Sequence, residues 1–137
     1  MKKNFLTTAL FFLIFIAGYS QDTYVKITSV IPENIPVGKT LKVDYVYSSD
    51  KEINLSCGIN LLDKWEWVSY MGGKGMNVAA GKDVKGSFDI FIPKGTKLTA
   101  NLKGDLNYKI KIEMRSVPGN EWIKGDYPNQ ALNITAP

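Results

Sequence analysis

Beyond the first twenty residues, apolar and polar positions alternate with a period of two, and the 3.6-residue period of an amphipathic helix is nearly absent. Residues 24–31 form the first predicted strand. Pro32, Asn34, Pro36 and Gly38 end it, and the two prolines point to a sheet edge or a crossover. Leu41, Val43, Tyr45 and Tyr47 alternate with Lys42, Asp44, Val46 and Ser48, the pattern of a strand with one core face. Residues 53–61 follow as a strand, then an aromatic strand over 65–71, and Gly72-Gly73-Lys74-Gly75 reads as a flexible loop. Short strands are predicted at 76–79, at Trp122-Ile123 and at 131–135, with a longer one at 84–92. The cleanest alternation sets Leu106, Tyr108, Ile110, Ile112 and Met114 against Asn107, Lys109, Lys111, Glu113 and Arg115. Seven to nine short strands, with turn signals about every ten residues, predict an all-β, immunoglobulin-like antiparallel β-sandwich; a small barrel is the other arrangement that fits.

The first twenty residues break this pattern. Met1-Lys2-Lys3 precedes an apolar run over 5–17, and Gly18 and Ser20 follow. A basic start, a short apolar stretch and small residues before a cut are the parts of a secretory signal peptide, and the run is shorter than the roughly 20 residues a membrane span requires. The expected division is a signal peptide at 1–20 and one sandwich domain at 21–137, exported to the periplasm or the cell exterior. No membrane span is expected after cleavage.

Charge and composition narrow the function. Without Lys2 and Lys3, fifteen basic residues face thirteen acidic ones, a net charge of +2. That is too small a surplus to imply nucleic-acid binding. Cys57 is the single cysteine, so no intramolecular disulfide forms, and its place among Ile53, Leu55, Ile59 and Leu61 predicts a buried thiol. The chain has no histidine, which removes the Ser-His-Asp and Cys-His arrangements and the common zinc sites. No acidic pair stands out as a glycosidase couple. The expectation is a protein with no catalytic residues, no metal and no cofactor.

Two features suit binding. Trp65 and Trp67, with Tyr70 close behind, place several large aromatics in one short stretch. On a strand, Trp65 and Trp67 share a face and Glu66 takes the other. Exposed, the two indoles would stack on sugar rings or peptide side chains; the pattern of sandwich cores instead favours at least one of them being buried. Trp122 opens a strand beside a turn and can be half exposed. The second feature is Lys109, Lys111 and Arg115 on the outward side of one strand, with Glu113 between them. Such a row can attract a sulfated or uronic-acid polysaccharide, although a solvated sheet face is the commoner origin.

Certain runs resemble a known kind of domain. They are Trp67-Val68-Ser69-Tyr70-Met71-Gly72, the stretch 84–93 with Gly95-Thr96, the stretch 108–115, and Pro118-Gly119-Asn120-Glu121-Trp122. Together they resemble the immunoglobulin-like accessory domains of secreted Bacteroidetes proteins, often attached to polysaccharide-degrading enzymes. Met71 stands where that family often has glycine, and Asn120-Glu121 replaces part of a glycine run. The resemblance implies an association with polysaccharide use. The leading expectation is a secreted, non-catalytic module that recognises a carbohydrate, with Trp67, Trp122, Trp65 and Tyr70 as stacking groups and Glu121 and Lys124 as polar neighbours. The alternative is a protein-interaction or surface-assembly module working through an exposed sheet edge. A third possibility is an inhibitor that presents the loop at 72–76.

Overall fold

The computed structural model describes residues 22–128 and 130–137. The expected signal peptide, residues 1–20, lies outside the described residues. Nine strands follow in order: β1 (Tyr24–Ile27), β2 (Asn34–Pro36), β3 (Thr40–Ser49), β4 (Ile53–Asp63), β5 (Glu66–Val78), β6 (Gly81–Phe91), β7 (Leu106–Ser116), β8 (Trp122–Asp126) and β9 (Asn133–Thr135). A single 3₁₀ turn, Thr99–Asn101, lies between β6 and β7.

Two antiparallel sheets make the sandwich, one ordered β1-β3-β6 and the other β5-β4-β7-β8. A short parallel pair, β2 with β9, closes one end. Pro36 sits in β2, at a sheet margin where a missing N–H is tolerated. β8 borders β7, and Leu132, just before β9, adds an isolated antiparallel bridge to Tyr108 of β7. The chain passes between the two sheets from β3 to β4, from β5 to β6 and from β6 to β7, the connectivity of an immunoglobulin-like sandwich.

The alternation explains the core. Val43, Tyr45 and Tyr47 of β3 and Phe88 and Ile90 of β6 face Ile53, Leu55, Cys57 and Ile59 of β4 and Tyr108, Ile110, Ile112 and Met114 of β7. Each such side chain contributes about 1.5–3 kcal/mol by leaving water. Two polar tips inside find partners: Tyr108 donates its hydroxyl to the Lys97 carbonyl (2.7 Å), in the manner of a tyrosine corner, and Tyr47 donates to the Ala79 carbonyl (2.8 Å). At one side the sheets are stitched by the Ile27 amide, which donates to Asp126 Oδ2 at 2.8 Å.

Two expectations need correction. The glycine segment 72–75 is not a loop; it is the middle of β5, with Gly73, Lys74 and Gly75 in register with Gly58, Cys57 and Ser56. Residues 76–79 are accordingly not a separate strand, and the premise of a presented inhibitory loop is lost. Trp65 is not on a strand. It belongs to a two-residue turn, Lys64-Trp65, between the paired Asp63 and Glu66. Lys64 has φ +55°, the sign that hairpin turns of this length need at their first central residue.

Candidate functional site

The outward face of the four-stranded sheet follows from the register. On β4 it consists of Asn54, Ser56, Gly58, Asn60 and Leu62, because the residues between them fill the core. Their partners on β7 are Arg115, Glu113, Lys111, Lys109 and Asn107. On β8, Trp122 lies opposite Arg115 and Gly125 opposite Glu113.

Irregularities set the outward residues of β5. Leu61 pairs with Ser69 and Leu62 with Trp67, so Val68 is an extra residue; a second extra residue lies at Met71-Gly72, where Gly72 has φ +84°. Each bulge shifts the alternation by one. Three residues apart, Trp67 and Tyr70 would take opposite faces of a regular strand. The bulge at Val68 puts both on the outward face. Tyr70 then lies over a strip without side chains: a Cβ built on Gly58 would meet its ring at 2.4 Å, and one built on Gly73 would meet its hydroxyl.

The result is a trough of about 540 Å³. Trp67 and Tyr70 line one side, Lys111 and Tyr127 the other, and Ser56, Gly58, Asn60, Glu113 and Arg115 complete the lining. Trp67 is 63% exposed and Tyr70 53%, yet the Trp67 ring is oriented, since its Nε1–H donates to Asn60 Oδ1 at 3.2 Å. Trp65, 72% exposed, stands at the end of the face with Lys109 Nζ 4.0 Å over its ring. The hairpin that carries it is fixed by Asn107, whose Nδ2 donates to the Lys64 carbonyl (3.2 Å) and the Asp105 carbonyl (3.1 Å). The expectation that one of the tryptophan pair is core is therefore wrong. The turn removes Trp65 from the sheet, and Trp67 faces away from the core.

Glu113 lies between two cations. Lys111 Nζ is 2.6 Å from one carboxylate oxygen and Arg115 Nε 2.9 Å from the other, while Arg115 Nη1 donates to the Asn120 carbonyl at 3.0 Å. Partial burial pushes the Glu113 carboxyl upward, but the Lys111 and Arg115 partners outweigh it and hold its pKa below the ordinary glutamate value. Burial pulls the Lys111 ammonium downward, and its bonds to Glu113 and Tyr127 outweigh that and raise it. Lys111 Nζ also lies 5.0 Å from the Tyr127 ring centroid.

Of the sequence-predicted residues, Trp67 and Tyr70 meet in the trough and Trp65 flanks it. Trp122, 59% exposed, is on the same face, but it lines a separate hollow with Glu121, Pro118 and Asp50. Lys124 does not join them. It is in register with Met114, a core residue, and so belongs to the opposite side of the sheet. Asn60, Gly58, Gly73 and Tyr127 are site residues that sequence reasoning missed. The run Asn54, Ser56, Gly58, Asn60, small and polar at every second position, was the available signal for a smooth outward face. No family model matches this chain, and none of the curated proteins compared with it is similar.

Proposed function

We propose that the protein is an exported, non-catalytic binding module that recognises carbohydrate in the trough on the four-stranded sheet. One observation carries this reading: Trp67 and Tyr70 project from the same face, half or more exposed, beside hydrogen-bonding side chains and over a glycine floor. A sugar ring presents an apolar C–H face that stacks on an aromatic plane and a rim of hydroxyls that bond polar neighbours. A trough of about 540 Å³ is the size of a ligand site. The resemblance to accessory domains of polysaccharide-degrading proteins agrees with this, and the leader-like first twenty residues support export.

The test is affinity electrophoresis of residues 21–137 through gels containing polysaccharides, with Trp67→Ala and Tyr70→Ala alongside. Retardation of the parent that disappears in both variants, each with an unchanged circular dichroism spectrum, is the expected result. Equal retardation of parent and variants would remove the trough from the account. In the alternative reading, strand addition, a partner would pair with a sheet margin such as β5. The bulges at Val68 and Met71-Gly72 work against that, because bulges twist an edge away from regular pairing.

A further inference from the structure

We infer that the trough selects an anionic saccharide, one whose ring carries a carboxylate or a sulfate. This rests on the carbohydrate reading above and adds the class of ligand. The argument is the placement of charge. The outward residues of β4, β5 and β8 named by the register are uncharged; all the charge of the face comes from β7, as Lys109, Lys111 and Arg115 against Glu113. That is a net charge of +2 for the face; the trough itself, lined by Lys111, Arg115 and Glu113, carries +1, and Lys109 is buried with its ammonium over Trp65. The chain beyond residue 21 has fifteen basic and thirteen acidic residues, so its whole surplus equals that of this face, and the rest of the molecule balances at twelve against twelve.

Glu113 does not cancel the face. A single carboxylate carries one negative charge, and Lys111 and Arg115 both lean on it within 2.9 Å. An ammonium has three donors and a guanidinium five, so each cation keeps donors for a guest after bonding Glu113. The two aromatic groups of the opposite wall hold the sugar plane, and the β7 cations meet the acidic substituent at its edge. Partial burial strengthens such a contact relative to one in open water. Glu113 acts here as a positioning residue: it holds the two cations at fixed places along the trough.

The experiment uses residues 21–137 and three polymers: polygalacturonate for the carboxylate, dextran sulfate for the sulfate, and unsubstituted dextran as the neutral arm. Lys111→Met is expected to weaken binding of a charged polymer about fivefold or more, while Glu113→Gln, which leaves the cations unopposed, strengthens it; both follow from charge complementarity. Lys42→Met and Lys124→Met, away from the trough, are expected to change it less than about twofold. Preference for polygalacturonate or for dextran sulfate tells which acid group is read. Dextran bound as tightly as either charged polymer, with Lys111→Met without effect, would overturn the inference and leave the carbohydrate reading standing. Equal weakening by all three lysine variants would overturn it as general charge attraction. Binding to none of the polymers would overturn both readings.

Discussion

Tyr70 lies across the sheet only because Gly58 beneath it has no side chain. The nearest atoms a methyl group on Gly58 would meet are the outer atoms of the ring, at 2.4–2.8 Å. The ring is half exposed, with solvent on its outer side. Gly58→Ala is therefore expected to change stability by less than about 1 kcal/mol while removing as much affinity as Tyr70→Ala; a folded Gly58→Ala variant with full affinity would show that the ring does not need its flat pose. Cys57, next in the chain, is 1% exposed, and burial pushes its thiol up to about 12. Almost no thiolate exists at neutral pH. A disulfide reagent such as DTNB should leave the native protein unmodified at pH 8 and titrate one thiol in guanidinium. The inert cysteine was legible from its apolar neighbours, because burial follows alternation. The exposure of Trp65 and Trp67 was not, because residue type fixes hydrophobic area and not which side of a sheet receives it.

At the scale of elements, β3, β4, β6 and β7 could be read from the chain, for they alternate strictly and each buries one face. β5 could not, since its glycines imitate a loop and its two bulges break the period. The register shows what those glycines do. A Cβ on Gly73 would meet the Cys57 carbonyl oxygen at 2.5 Å as well as the Tyr70 hydroxyl, so the tyrosine cannot relieve it by moving. Gly73→Ala is expected to cost about 1–3 kcal/mol by pushing β5 from β4, against the near-neutral Gly58→Ala. Chemical denaturation of the two variants decides the matter; equal midpoints would mean that β5 yields as easily as a side chain. β9 lies within the strand expected at 131–135, but β2, three residues long, and its parallel pairing with β9 across the whole chain were hard to see. The tie between β1 and β8 is of the same long-range kind. Asp126→Ala leaves the partly buried Ile27 amide without its acceptor and should cost about 1–3 kcal/mol.

At the scale of the whole molecule, the charge on the trough face links stability to pH at both ends of the range. Glu113 is held below the ordinary glutamate value of 4.5, so folded protein binds its proton more weakly than unfolded chain does. Its stabilisation is fully present above 4.5 and is lost as pH falls through the lower folded value. Lys111 is held above the ordinary lysine value of 10.5, so its contribution is present below 10.5 and is lost as pH rises through the higher folded value. Between these limits the cation–carboxylate–cation arrangement keeps one protonation state. Thermal unfolding of the parent and of Glu113→Gln should therefore differ by a constant margin from about pH 6 to about pH 9, and the margin should shrink in acid below the ordinary glutamate range and again in alkali above the ordinary lysine range. The margin will be modest, since all three side chains stay partly solvated. A margin that grew on acidification would have the opposite sign and would mean that Glu113 is destabilised by burial more than its two cations support it. Binding of a uronate polymer should be flat over the same neutral interval, because Glu113 is held below the ordinary glutamate value and Lys111 above the ordinary lysine value, both outside it. A histidine-based site would titrate there, but this chain has no histidine.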